Sequence, residues 1–303
     1  MLSACIDRYL AVRRTAGYGL ETEESLLRSF ERFATARRLS HVRVKAACEW
    51  AGQAPSPEQR ELRLDAVRRL AKFAAPSDDR HQVPPRGFFG GKRRQRKPPR
   101  IYTPHEVATV LRAALRLGPE GSLWPRVVYT LLALLYVTGL RISEATRLRI
   151  CDVTAEGLLV RKTKFRKSRL LPLHRSTEKA LQQYLDYRSR FRLTDDHLFV
   201  SKRGRPLDRH SAANAFCAVV AQTGLLKPGR PRPRLHCFRH GFAVRVLEQS
   251  PEGRDQVGRH LLALSTYLGH TRIADTYWYL EATPKLMKDI AQALECFLEG
   301  GSR

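Results

Sequence analysis

No stretch of this 303-residue chain comes near the roughly 18–20 uncharged apolar residues that a membrane-spanning helix requires. The longest apolar run, Val127 to Leu140, is interrupted by Tyr and Thr and stopped by Arg141. Met1 to Leu10 carries Asp7 and Arg8 and lacks the layout of a secretory signal. A soluble, unexported, cytoplasmic protein is expected. The six cysteines (Cys5, Cys48, Cys151, Cys217, Cys237, Cys296) include no CxxC pair, so their spacing offers neither a zinc site nor a disulfide framework. His236, Cys237 and His240 form the one tempting cluster, and no second ligand pair lies near them in sequence. Reduced, isolated thiols are expected, with no metal and no cofactor. There is no internal repeat and, outside one basic stretch, no low-complexity segment.

Acidic residues are also scarce. Twenty-nine Asp and Glu stand against 55 Lys and Arg, giving a net charge of +26 and a pI near 10.6. That excess repels itself within the fold, and a polyanionic partner accounts for it most simply. No Lys-rich amphipathic helix with exposed Trp or Phe appears, which favours nucleic acid over a membrane surface.

Residues 1–75 read as helix throughout, and a first domain is expected over 1–79. Ile6, Tyr9 and Leu10 fit a first helix ending near Gly17 and Gly19. Glu21 to Leu39 forms a second, with Leu26, Leu27, Phe30, Phe33 and Ala34 at helical spacing. A short third helix covers about Arg43 to Ala51, and Pro57 starts a fourth that stops before Pro76. Arg80 to Arg100 then holds eight Lys or Arg, four Pro, three Gly and no acid. This composition predicts a linker lying along a phosphate backbone, with Lys92, Arg93, Arg94, Arg96 and Lys97 as contacts.

A second domain is expected over 101–303. Thr103-Pro104 with Glu106 is a capping-box start for a helix to about Leu117. Trp124 to Val137 is apolar enough to be a core helix, and Gly139 suits a left-handed cap after it. Leu158–Val160 and Leu170–Leu173 read as two short antiparallel strands around a basic tip, Lys162 to Arg169. Arg166, Lys167 and Arg169 at that tip are expected to touch DNA. Helices follow over about 177–191, 209–224, 238–248, 256–268, 273–279 and 284–298.

Polar residues recur at the junctions of these elements: Arg141 after Gly139, Lys164 on the basic hairpin, His236 and Arg239 on one helical face, then His270 and Tyr279. Cleavage of a phosphodiester by a tyrosine needs such a set. The transition state spreads negative charge over non-bridging oxygens, which guanidinium and imidazole groups match. A phenol with a pKa of about 10 is a poor nucleophile at neutral pH without that field or a nearby base. The leaving 5′ oxygen needs a proton, which a lysine on a hairpin can supply.

In these motifs the chain resembles the tyrosine recombinase (phage integrase) family. Thr138-Gly139-Leu140-Arg141-Ile142-Ser143-Glu144 carries the first arginine, and Lys164 sits in a Lys-x4-Arg-x2-Pro-Leu spacing. His236-Cys237-Phe238-Arg239 forms the histidine–arginine box. Leu268-Gly269-His270 carries the second histidine, and Tyr279 matches the nucleophile. The likeness spans essentially the whole chain. Cys237-Phe238 departs from the usual acid-then-leucine pair inside the box, a change of packing more than of chemistry.

The resemblance implies a mainly α protein. A helical core-binding (SAM-like) domain would be followed by an α+β catalytic domain with a small antiparallel sheet. It also implies a site-specific recombinase or integrase that works through a 3′-phosphotyrosine without metal or ATP, serving a mobile element. Arg141, Lys164, His236, Arg239, His270 and Tyr279 would be catalytic, with Glu144 and His240 in support and Tyr277 as the decoy. Partners would be double-stranded DNA at core or inverted-repeat sites and three further copies of the chain, or sibling recombinases. Helix 284–298 would dock on a neighbouring subunit. A type IB topoisomerase and a non-catalytic DNA-binding regulator are the competing readings.

Overall fold

The computed structural model describes residues 2–90, 100–161, 168–229, 231–249 and 254–270, together with Thr276 and Tyr279. The chain divides into two compact units, Met1–Lys97 and Pro98–Arg303.

The described residues of the first unit form four helices: α1 (Leu2–Thr15), α2 (Glu21–Ala36), α3 (Val44–Gly52) and α4 (Pro57–Ala74). Ser56 caps α4 by accepting from the amide of Gln59, with Pro57 in the first turn where no N–H is needed. Ile6, Leu10, Leu27, Phe30, Trp50, Leu64 and Leu70 close one core. Each side chain of this size, once buried, contributes about 1.5–3 kcal/mol. Phe30 and Trp50 meet edge to face, 5.4 Å between ring centroids.

The stretch that composition assigns to a linker is fastened to this unit over its first half. Arg68 on α4 is only 7% exposed. It donates from Nε to the carbonyl of Pro84 (3.1 Å) and from Nη2 to that of Pro85 (3.0 Å), and it pairs with Glu61 and Asp65. Gln82 donates its amide to the Val42 carbonyl, and Glu61 accepts from the amide of Gly87. A buried guanidinium must satisfy its donors, and the Pro84-Pro85 carbonyls do so. Lys92, Arg93, Arg94, Arg96 and Lys97 lie outside the described residues.

The second unit is built around α6 (Trp124–Thr138), whose Val127, Val128, Leu131, Leu132 and Leu135 are at most 2% exposed. Against it pack α5 (Pro104–Leu115), α8 (Arg175–Arg188), α9 (Arg209–Ala221) and α10 (His236–Glu248). The expected capping box of α5 is present, since Thr103 Oγ1 accepts from the Glu106 amide and Glu106 accepts from that of Thr103. The one-turn helix α7 (Ile142–Ala145) follows Gly139, and α11 (Arg254–Leu268) follows α10. The apolar run of α6 thus forms a core helix, and no helix among the described residues is long and apolar enough to cross a membrane.

A three-stranded antiparallel sheet, in the order β1 (Val153–Thr154), β2 (Gly157–Val160) and β3 (Arg169–Leu171), flanks the helices. The expected hairpin is its β2–β3 pair, with β1 added. Leu158 faces Leu171, and Val160 faces Arg169. Gly157 makes the turn into β2 at φ +131°, and a Cβ there would lie 2.1 Å from the Leu171 carbonyl oxygen, so glycine is required. Among the described residues the chain is mainly helical with one small antiparallel sheet. Helix 284–298 lies outside the described residues.

Candidate active site

The site assembles on the carboxyl end of α11. The last carbonyls of a helix have no partner within it and carry the negative end of its dipole. Here three consecutive ones are each taken by arginine. Arg169 Nε donates to the Tyr267 carbonyl at 2.9 Å. Arg239 Nη2 donates to that of Leu268 at 2.7 Å, and Arg141 Nη1 approaches the same oxygen at 3.4 Å. Arg141 Nη2 donates to the Gly269 carbonyl at 3.1 Å. Gly269 turns the chain at φ +65°, which brings the His270 amide back to the Ser265 carbonyl at 2.9 Å.

Arg239 is 2% exposed and also donates from Nη1 to the Gly139 carbonyl at 2.7 Å. Burial pushes its pKa down to about 10, with the charge of Arg141 adding to the effect, and it remains protonated at neutral pH. Gly139 ends α6 in the left-handed conformation, as its sequence context predicts, and so aims its carbonyl at Arg239. Arg141 stands at the start of α7, where Glu144 accepts from both its amide (3.0 Å) and its guanidinium (2.9 Å). Glu144 is 8% exposed. Burial works to raise its pKa, yet the hydrogen bonds and charges of Arg169 and Arg141 outweigh burial and hold the carboxyl below its usual range.

Among the histidines and the tyrosine, contact runs ring to ring. His236 and His240 lie one helical turn apart on α10, centroids 4.4 Å apart at 78°. His240 is 5.4 Å from the Tyr279 ring, and His270 stacks on the same ring at 6.0 Å and 17°. Desolvation, then the neighbouring arginine charges, push His236 down to about 4. Desolvation, then His236 and Arg239, push His240 to about 3. The His236 residue is exposed, and its ring feels the charges of Arg239 and Arg141. Tyr279 is 3% exposed, packed with Leu264, Leu268 and Leu247.

Arg141, Glu144, His236, Arg239, His240, His270 and Tyr279, singled out in sequence, therefore converge. Lys164, Arg166, Lys167 and Tyr277 lie outside the described residues. Arg169, expected on the DNA face, is turned inward with its side chain 13% exposed, its Nη groups donating to Glu144 at 2.9 and 3.2 Å. Strand alternation is the reason, since Arg169 shares a face with the fully buried Leu171 while Leu170 between them is 46% exposed. Sequence reading missed Thr276 as well. Its hydroxyl lies 2.7 Å from His270 Nδ1, and its place one turn before Tyr279 was the available signal.

Two clusters of metal-ligand type occur among the described residues, His41-Asp78-His81 and Asp195-Asp196-His197. In the first, Arg80 grips both oxygens of Asp78, and His81 Nδ1 accepts from the Val42 amide. Neither cluster includes a residue of the arginine–histidine–tyrosine site.

The chain is similar to known proteins over most of its length. Residues 103–285 match the phage integrase family. Over 96% of both chains, the sequence is 37% identical to a putative integrase/recombinase, y4rB, of Sinorhizobium fredii. It is 30% identical to the tyrosine recombinase XerC of Chlamydia trachomatis, over 75% of this chain and 68% of that one. Among solved structures, the XerH recombinase in a post-cleavage complex with its difH substrate aligns with a TM-score of 0.63 at 19% identity, over 91% of this chain and 80% of that one. The Tn1549 transposon integrase bound to transposon end DNA aligns at 0.62 and 18% identity, over 95% and 99%. A lambda integrase tetramer on a Holliday junction aligns at 0.59 and 18%, over 89% and 77%. At these identities the structures share the fold.

Proposed function

This chain belongs to the phage integrase family, and we propose that Tyr279 is the nucleophile with which it breaks and rejoins DNA. It is a site-specific tyrosine recombinase. In our reading the phenolic oxygen attacks the scissile phosphorus, forming a 3′-phosphotyrosine, and the phenolic proton passes to a neutral imidazole of the histidine group beside it. The 5′ oxygen leaves with a proton from Lys164. The 5′ hydroxyl of a partner strand then attacks the phosphotyrosine and releases Tyr279. The covalent bond conserves the energy of the phosphodiester, so no nucleotide is consumed.

Convergence carries this reading. Arg141 and Arg239 both reach the Leu268 carbonyl, which holds two guanidinium groups side by side in a partly water-excluded site, with His236 beside them and His270 two residues on. Two fixed cations next to hydrogen-bonding imidazoles are what a pentacoordinate phosphate needs, and they require no reorganisation as its charge develops. His240 packs between His236 and Tyr279 and supports both rings.

The helical unit over 1–79 is proposed as the core-binding half of a clamp on duplex DNA, with Lys92, Arg93, Arg94, Arg96, Lys97, Arg166 and Lys167 on phosphates. The lambda integrase assembly motivates the further reading that four copies act on two core sites, with helix 284–298 joining neighbours, close to the nucleoid. The similarity to a putative integrase/recombinase supports service to a mobile element.

The test is trapping on a nicked duplex that carries the ends of the element encoding the chain. Wild type is expected to leave a denaturation-resistant adduct, and Tyr279→Phe none. An adduct that persists in Tyr279→Phe, or that vanishes in Tyr277→Phe alone, overturns the nucleophile assignment. Adducts spread evenly over unrelated duplexes would instead mark topoisomerase behaviour.

A further inference from the structure

Arg169 touches three parts of the site at once. It lies on β3, five residues after Lys164 in the chain. It donates to both oxygens of Glu144 on α7 and to the Tyr267 carbonyl at the end of α11. It also lies against Gly269, where an added Cβ would sit 2.7 Å from its Nη1. The β2–β3 register fixes this direction, because Leu171 on the same face is fully buried. A side chain so placed cannot also lie along a phosphate backbone.

The charges explain why an arginine is wanted here. Glu144 is a buried carboxylate 2.9 Å from Arg141, the guanidinium assigned to the scissile phosphate. Alone, it would neutralise that guanidinium and weaken its hold on a phosphate oxygen. With Arg169 on its other side, the carboxylate is already balanced. Glu144 can then orient Arg141 without consuming its charge.

We propose that Arg169 is a positioning residue for strand cleavage: as the counter-ion of Glu144 and a brace on the Tyr267–Gly269 turn, it keeps Arg141 available to the scissile phosphate. This rests on the tyrosine-cleavage reading above.

The experiment compares Arg169→Met, Glu144→Gln and the double variant with wild type on the nicked duplex, at protein concentrations that saturate the DNA. Duplex affinity is measured across a salt series. Arg169→Met is expected to bind DNA as wild type does, with the same salt slope, and to form adduct slower by on the order of 100-fold, as for a misplaced catalytic group. The double variant is expected to be faster than Arg169→Met, because Glu144→Gln removes the unbalanced carboxylate. Thermal melting checks the fold, and Arg169→Gln carries the same comparison if Arg169→Met does not fold.

A single variant with a full adduct rate at saturation and a salt slope shallower by about 0.9, one lost phosphate contact, would make Arg169 a DNA contact and overturn the proposal. A double variant no faster than Arg169→Met would also overturn it. Absence of adduct from wild type itself would instead sink the cleavage reading, and so the two failures are told apart.

Discussion

His270 and Tyr279 stack ring on ring, 6.0 Å between centroids and 17° between planes, and the stack is steered from outside by Thr276. The Thr276 hydroxyl, fully buried, lies 2.7 Å from His270 Nδ1 and fixes which way the imidazole faces. Ring orientation set by a partner of this kind decides which nitrogen meets a ligand.

Thr276→Val keeps the shape and removes the hydroxyl. Adduct formation at saturating DNA is expected to fall by on the order of 10–100-fold, the usual cost of a lost orienting partner or a displaced catalytic group. DNA affinity should be unchanged, and Thr276→Ser should restore the rate. A Val variant as fast as wild type would remove the hydroxyl from the mechanism.

Arg239→Lys tests the buried half of the clamp. The guanidinium spans the Gly139 and Leu268 carbonyls at 2.7 Å each, two elements apart in the fold. A single ammonium cannot sit at both places, and a buried carbonyl left unpaired costs about 1–3 kcal/mol. Urea unfolding should report a loss of that size. Cleavage should slow by roughly 100-fold or more, because one preorganised donor to the phosphate is lost as well. Preserved activity with lowered stability would assign Arg239 a purely structural role.

Much of this was legible in the chain. Periodicity, the Thr103 capping box and the glycine after Thr138 located α5, α6 and the turn that delivers Arg141. The His236/Arg239 spacing placed both residues on α10. Two things stayed hidden for physical reasons. The inward turn of Arg169 depends on β2–β3 register, and a basic run around a short strand gives the alternation no apolar contrast to read. The anchoring of residues 82–87 on the first unit depends on buried Arg68, on Glu61 and on the Val42 carbonyl, whereas Pro, Gly and charge in a row read as linker. Backbone carbonyls as the organising surface, here Tyr267, Leu268 and Gly269, leave no trace in side-chain patterns.

Stability should depend on pH through His236 and His240. Their folded pKa values are pushed to about 4 and about 3, below the roughly 6.5 of an unfolded histidine. Between those limits the unfolded chain binds more protons, so stability rises with pH from about 3 to 6.5 and levels off above it. Burial also lowers His81 in the first unit, which acts in the same direction. Because His236 reaches solvent, screening weakens its share and His240 carries more of the effect. Urea midpoints for the second unit should be lower at pH 5 than at pH 7.5, and the difference should shrink in His240→Asn. Equal midpoints would show that neither histidine is held neutral by the fold.

Gly139 is where helix geometry and phosphate chemistry meet, and Gly139→Ala should expose both. Its φ of +62° alone makes a side chain costly by about 1–2 kcal/mol. A Cβ would also lie 2.6 Å from Cδ1 of Phe242, whose ring would have to shift against Tyr267, on which it stacks at 5.5 Å. Gly224, at φ +65° with nothing within 4 Å of a Cβ, supplies the backbone cost without the clash. Gly139→Ala should therefore destabilise the second unit more than Gly224→Ala does, and Phe242→Leu added to Gly139→Ala should recover part of the excess. Only Gly139→Ala should slow adduct formation, because only there does the strained residue present its carbonyl to Arg239. If the two alanine variants lost equal stability and both cleaved at the wild-type rate, Phe242 would not constrain the turn, and Arg239 would not depend on the Gly139 carbonyl.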